Sequence, residues 1–407
     1  MVPNDWSNKL FKQVLKLERG SSPRPIINFI TESSDGVNWI KIGDTKGNDT
    51  FINYTKEKIT PEGAKKSRKV NKGEIILSNS MSYGKPYILN IDGYIHDGWF
   101  VIKEYEPHLD KQFLIQVLGS ELVQRQYKRL AAGGVVTNIS SELVYAVKIS
   151  FPSLPEQRKI AKILSTWDKA ISTTENLIEN SKLQKKALMQ QLLTGKKRLI
   201  NPDTGKPFEE EWEEFQLSNI VDRPICYGVL KPGEDTENGI PLLRIQDIKT
   251  TSLNINKMTR ITKELHLEFK RTALREGDLV ISIVGTLGKV LKVPKQLEGG
   301  NISRAFAVIG VRGHDTEFIK QYLSSDYIQE WLTNTASGNA QKVLNIAAIK
   351  KLRLSLPSLK EQQKVASVLI NAEKEVEFFE KQLESLKNEK KALMQQLLTG
   401  KIRVKVQ

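Results

Sequence analysis

KKALMQQLLTGK occupies Lys185–Lys196 and returns, letter for letter, at Lys390–Lys401. The copies lie 205 residues apart (390 minus 185), about half of the 407-residue chain. Working outward, LPEQRKIAKIL (154–164) matches LKEQQKVASVL (359–369) at the same offset. Upstream, Phe113, Leu118, Ser120, Gln124 and Gly133 match Phe318, Leu323, Ser325, Gln329 and Gly338. KGEIILSNSMSYGK (72–85) resembles EGDLVISIVGTLGK (276–289) at 204, and WIKIGD (39–44) resembles LLRIQD (242–247) at 203. Trp6, Phe11 and Val14 resemble Trp212, Leu217 and Ile220. Constant order with slowly drifting offset is the signature of a duplicated domain with small changes in its loops.

Each copy ends in a long helical segment. Ser153-x-x-Glu156 and Ser358-x-x-Glu361 read as capping boxes, and Gly195 and Gly400 suit the left-handed position just past a helix end. Between the caps lie roughly 60 Å of helix at 1.5 Å per residue. Leu164, Trp167, Ile171, Thr174, Ile178, Ser181, Leu188 and Leu192 fall on alternating steps of three and four, with Lys185 interrupting. Leu369, Ala372, Val376, Phe379, Leu383, Leu386, Leu393 and Leu397 hold the equivalent places, with Lys390 interrupting. That spacing predicts a coiled-coil seam whose simplest partner is the other copy. If the two helices run antiparallel, the domains are expected at opposite ends, related by a pseudo-twofold.

Before each helix, short buried strands (Glu74–Leu77, Leu279–Val284) mix with amphipathic helices (Phe113–Leu130, Phe318–Thr333). The expected fold class is α+β: two similar domains, 1–152 and 212–357, joined by helical segments 153–195 and 358–400. The Pro- and Gly-containing stretch 196–211 reads as a linker.

Composition narrows the partners. Against 47 acidic residues stand 62 lysines and arginines, and the net charge of +15 points to a polyanion. The lone cysteine, Cys226, permits no internal disulfide and fits a reducing cytoplasm. No signal peptide and no membrane span are expected. The four histidines form no metal-ligand pattern. No Walker loop, no G-x-G-x-x-G and no methyltransferase motif is present, since Asn201-Pro202-Asp203 lacks the second proline and the aromatic. A non-catalytic, binding role remains. Polar and basic residues gather near glycines: Asn79, Ser80, Tyr83 and Lys85 around Gly84, and Ser282, Thr286 and Lys289 around Gly285 and Gly288. Such turns suit phosphate contacts. Arg24, Lys41, Asn138, Arg244, Gln246, Arg304, Gln341 and Asn345 are candidate readers of base edges in duplex DNA.

P-S-L-x-E-Q followed by a long helix ending in L-L-T-G-K, present twice, resembles the specificity subunits of type I restriction–modification enzymes. So does E/K-G-D/E-x-x-x-S…G-K in each variable domain. The resemblance covers essentially the whole chain. It implies two target recognition domains, each reading half of a split, asymmetric DNA site. It implies helices that act as spacer and as docking surface for two methyltransferase subunits, with restriction subunits joining that core. S-adenosylmethionine, ATP and magnesium would belong to those partners and not to this chain. The first unit departs from the second at SMSYGK against VGTLGK, a bulkier loop. A stand-alone DNA-binding regulator, a protein scaffold, and a subunit of a type IIB or modification-only system are alternatives that the residues leave open.

Overall fold

The computed structural model describes residues 3–45, 50–80, 84–130, 138–249, 253–338 and 342–405. The chain divides into two units: Met1–Glu175 with Lys381–Gln407, and Asn176–Glu380. The two long helices, Leu154–Leu192 and Leu359–Leu397, have 39 residues each, and each unit owns one end of both.

Within unit 1, two five-stranded sheets share the work. One orders the strands Lys16–Arg19, Trp99–Lys103, Ile75–Ser78, Pro86–Leu89 and Phe51–Ile52. The other orders Ile30–Thr31, Glu57–Ile59, Val37–Ile40, Gly93–Ile95 and Arg68–Val70. Unit 2 uses smaller sheets. Cys226–Tyr227, Phe306–Ile309, Leu279–Ser282 and Val290–Lys292 form one, and Arg260–Ile261, Ile240–Leu243 and Asn301–Ile302 form the other. The opening strand of each unit pairs antiparallel with the strand that feeds the long helix: Ser7–Leu10 with Lys148–Phe151, and Glu213–Gln216 with Arg353–Leu356.

The central strands explain the unbroken apolar runs in the sequence. Ile75 and Leu77 face a core shared with Phe113, Leu114 and Leu118, while Ile76 faces a second core with Tyr87, Trp99 and Val101. Successive strand side chains point to opposite faces, so a strand covered on both sides needs an apolar residue at every position. In unit 2, Leu279 and Ile281 lie with Phe318, Ile319 and Leu323, and Val280 lies with Val293, Phe306 and Val308. Each fully buried side chain of this kind contributes roughly 1.5–3 kcal/mol.

The amphipathic segment expected at 113–130 is two helices, Lys111–Gly119 and Glu121–Leu130. The break is Ser120, extended and buried, whose Oγ donates to the Val117 carbonyl at 2.6 Å. The equivalent segment of unit 2 breaks at Ser324 and Ser325 between Thr316–Leu323 and Asp326–Thr335. Asp110 and Asp315 cap the first helix of each pair, with Oδ1 accepting from the Phe113 and Phe318 amides at 3.1 and 2.8 Å.

The helix seam holds within each unit. Leu164, Ile178, Leu192, Leu369, Val376 and Leu397 are buried, and Trp167, Ile171, Leu188, Phe379, Leu383 and Leu393 are half-buried. In unit 1, Asp168 meets Lys390 and Glu175 meets Lys387. In unit 2, Glu373 meets Lys185 and Glu380 meets Lys182. Partner numbers rise on one helix as they fall on the other, so the paired helices run antiparallel. Lys185 and Lys390 therefore belong to the seam and do not interrupt it.

The capping-box expectation is corrected. Glu156 and Glu361 are 3% and 1% exposed, and each binds an arginine from beyond a helix end. Arg403 Nε and Nη2 donate to Glu156 at 2.7 and 2.8 Å, and Arg198 Nε and Nη2 donate to Glu361 at 2.7 Å each. Gly195 (φ +68°) and Gly400 (φ +72°) do take the left-handed conformation. An added Cβ would lie 3.4 Å from the Trp212 ring at the first and 2.5 Å from Pro3 at the second. The stretch 196–211 is an ordered turn. The Asn201 amide donates to the Lys206 carbonyl at 2.8 Å, and Phe208 is buried.

Candidate nucleic-acid interface

In unit 2 the strands Ile240–Leu243 and Asn301–Ile302 run parallel, with Leu243 opposite Ile302, so both chains leave the sheet at one edge. Backbone bonds stitch further segments to that edge. The Ser303 amide donates to the Leu243 carbonyl at 3.0 Å and Arg304 to Val229 at 2.8 Å. Ile283 donates to Ala305 at 2.8 Å and Leu344 to Ile283 at 2.9 Å. Asp247 Oδ2 accepts from the Arg244 amide at 2.7 Å, holding the turn that carries Gln246. Arg244, Gln246, Thr286, Lys289, Arg304 and Asn345 thus come together from distant parts of the chain. Gln246, Thr286, Lys289, Arg304 and Asn345 are exposed. The Arg244 Nε is buried and has no hydrogen-bond partner among the described residues. Asn345 also caps a short helix, its Oδ1 accepting from the Ala347 amide at 2.8 Å.

Unit 1 builds the same frame. Val37–Ile40 and Gly93–Ile95 run parallel with Ile40 opposite Ile95. Asp44 Oδ2 accepts from the Lys41 amide at 2.8 Å, Asn79 donates to Gly98 at 2.9 Å, and Ile139 donates to Asn79 at 2.6 Å. Arg24, Lys41, Ser80 and Asn138 gather here, and Ser80 forms a bridge with Asn138. Their surroundings differ from unit 2. Lys41 is paired with Glu57, and Arg24 stands 3.5 Å from Asp97. Lys85 lies over the Tyr87 ring, 4.9 Å from its centroid. Tyr83 and Gln341 lie outside the described residues.

Two expected contacts are interior instead. Asn79 is 3% exposed and its Nδ2 donates to the Asp97 carbonyl at 2.8 Å. Ser282 is fully buried, and its Oγ donates to the Thr286 carbonyl and accepts from the Lys289 amide at 2.9 Å. Both sit where the sheet carries the chain inward before the turn. They shape the loop from beneath and cannot touch a ligand directly.

The turn itself is held from the helical side. The Gly288 amide donates to Ser282 and the Gly84 amide to Ser78, at 2.9 Å in each case. Gln329 Nε2 donates to the Gly288 carbonyl at 2.9 Å and to Leu323 at 2.7 Å. Gln124 Nε2 does the same to Gly84 and Leu118, both at 3.2 Å. The repeat match between Gln124 and Gln329 was visible in the sequence, but their role as loop clamps was not. Asp97 and His96 were missed altogether. His96 accepts from the Gly98 amide at Nδ1 (2.8 Å), and burial, ahead of the opposing Asp97 charge, lowers its pKa.

Residues 3–182 and 209–388 each match the family described as the type I restriction modification DNA specificity domain. The chain is 32% identical over 250 residues to the type I restriction enzyme EcoBI specificity subunit of Escherichia coli. That match covers 56% of this chain and 52% of the relative, so it spans about half of that protein's length. It is 25% identical over 424 residues to the type I restriction enzyme MjaVIII specificity subunit of Methanocaldococcus jannaschii, covering 99% of this chain and 94% of the relative. In fold it is similar to a solved chain of a type I R-M system, with a TM-score of 0.61 at 18% identity over 99% of this chain and 100% of that one.

Proposed function

The chain belongs to the family of type I restriction modification DNA specificity domains, and from that premise we propose that it is the sequence-reading subunit of a type I restriction–modification complex. Each unit reads one half of a bipartite, asymmetric duplex site. The length of the paired helices sets the unread spacer, and the helices seat two methyltransferase subunits. Restriction subunits join that core. S-adenosylmethionine, ATP and magnesium act on those partners, and this chain recognises without catalysing.

One observation carries the reading. The same backbone frame is built twice, yet it presents Arg244 and Arg304 in unit 2 where unit 1 presents Lys41 and Asp97. A repeated frame with different side chains suits two half-sites of different sequence. The surplus of positive charge, +15, supplies phosphate contacts that position the reader on DNA.

Domain exchange tests this reading. Replacing the residues before Ser153 with the corresponding domain of another specificity subunit is expected to change one half of the selected site and leave the other half as it was. Changes in both halves, or no selected sequence at all, overturn it. A stand-alone regulator would select its site equally well without methyltransferase subunits and would not copurify with them.

A further inference from the structure

The strand register makes the two frames comparable residue by residue. Ile40 is opposite Ile95 in unit 1 as Leu243 is opposite Ile302 in unit 2. The residues that follow are then equivalent: Lys41 with Arg244, His96 with Ser303, Asp97 with Arg304, Gly98 with Ala305. The amide-to-carbonyl bonds Asn79 to Gly98 and Ile283 to Ala305 confirm the alignment, at 2.9 and 2.8 Å. At one position of a shared frame, a carboxylate replaces a guanidinium.

Asp97 is also anchored through both its backbone and its side chain. Its carbonyl accepts from Asn79 Nδ2 at 2.8 Å and from Arg19 Nε at 3.3 Å. Its Oδ1 accepts from Ser22 Oγ at 2.8 Å. Its Oδ2 faces Arg24 at 3.5 Å, too long for a good hydrogen bond, and the side chain remains 44% exposed. Asn79, the prop beneath it, stands where unit 2 has Ile283, so the polar support is found with the carboxylate and not with the arginine. One oxygen is fixed and the other is presented. Arg24, 84% exposed, sets a positive charge beside that carboxylate and eases its approach to a polyanion.

Resting on the reading of this chain as a DNA-recognition subunit, we propose that Asp97 is a specificity-determining residue that accepts from an exocyclic amino group in one half-site, while Arg304 donates to a guanine at the matching position of the other. Cytosine, whose N4 amino group lies in the major groove, is the base a carboxylate selects there. Guanine, with O6 and N7 side by side, is the base an arginine selects. The two halves are read with opposite hydrogen-bonding polarity at this one place.

The full chain, with its partner subunits, is selected on a duplex library randomised in both half-sites. Asp97→Asn keeps the shape and an acceptor for Ser22 but adds an amide donor. It is expected to lower the preference for cytosine at one position of one half-site about tenfold and leave the other half-site unchanged. Arg304→Gln, on an exposed side chain, is expected to turn guanine preference toward adenine in the other half-site alone. If either variant weakens binding but leaves the base preferences as in the parent, Asp97 and Arg304 are supports of the loop and the proposal is overturned. If the parent chain selects no sequence in either half, the recognition reading itself fails, and this assignment with it.

Discussion

Lys390 Nζ donates to Asp168 Oδ1 at 2.5 Å, joining residues 222 apart in the chain within the apolar seam of unit 1. Lys185 and Glu373 repeat the contact in unit 2 at 3.5 Å. Burial alone would push the Glu373 carboxyl up, but Lys320 and Lys185 outweigh it and hold it below the ordinary carboxylate value. An apolar seam without such pairs could slide by a heptad or accept a parallel partner, whereas a lysine matched to one acid fixes direction and register.

Lys390→Met alone leaves Asp168 with the Gln116 amide at 2.7 Å as its remaining anchor. The lysine is 17% and the aspartate 35% exposed, so solvent screens part of the attraction. A loss of about 1 kcal/mol is expected. Lys390→Met with Asp168→Leu should recover most of it, because an apolar pair suits the seam. Urea unfolding of the four chains of the cycle measures the coupling. A double variant as unstable as the sum of the two singles means the residues do not interact.

Gly285 and Gly288 flank the same turn with nearly equal φ, +77° and +75°, and so separate backbone strain from packing. Among the described residues a Cβ at Gly285 meets nothing within 4 Å, whereas one at Gly288 would lie 2.4 Å from Gln329 Oε1. Gly285→Ala is expected to cost about 1–2 kcal/mol from the left-handed backbone alone. Gly288→Ala should cost about 1 kcal/mol more because Gln329 must give way and release the Gly288 carbonyl. Thermal unfolding ranks the two. Equal melting temperatures would show that Gln329 does not clamp the turn.

His96 ties the stability of unit 1 to pH. Burial, set against the nearby Asp97 charge, lowers its folded pKa from 6.5. The unfolded chain then takes up a proton more readily than the folded one as pH falls below that value. The contribution of the neutral ring is complete above 6.5 and is lost as pH drops through it toward the lowered folded value. His314 in unit 2 is lowered in the same sense, again by burial first, with the Gln362 contact opposing. His96→Asn is expected to flatten part of the slope of stability between pH 7 and about 5, above most carboxylate titrations. Denaturant midpoints across that range provide the check, and an unchanged slope would exclude a neutral buried ring.

Much of this was legible in the sequence because it rests on local periodicity. The seam from Leu164 to Leu192 declares itself at a spacing of three and four, and duplication repeats it from Leu369 to Leu397. Lys185 and Lys390 looked like faults in that pattern because each acid partner lies on the other helix, where chain order gives no hint. Asn79 and Ser282 looked like loop residues because they neighbour glycines, yet the sheet ladder carries both inside. Asp97 stayed invisible for another reason. The offset between the units drifts to 207 at this strand, and HDG bears no likeness to SRA until Ile95 and Ile302 are placed by strand pairing.

The paired helices yield the last expectation. Seven residues of helix add about 10 Å, and seven is the period at which the seam repeats, so a heptad inserted in both long helices preserves the alternation of apolar and charged contacts. A single insertion would instead pull Lys182 away from Glu380 and Lys387 away from Glu175, pairs now at 2.6 and 2.8 Å. At about 3.4 Å per base step, the double insertion is expected to lengthen the preferred spacer by about three base pairs, adjusted by the turn of the duplex over that length. Bases within each half-site should stay the same. Selection against duplexes that differ only in spacer length reads the shift, and a spacer preference that does not move would show that helix length is not what measures the gap.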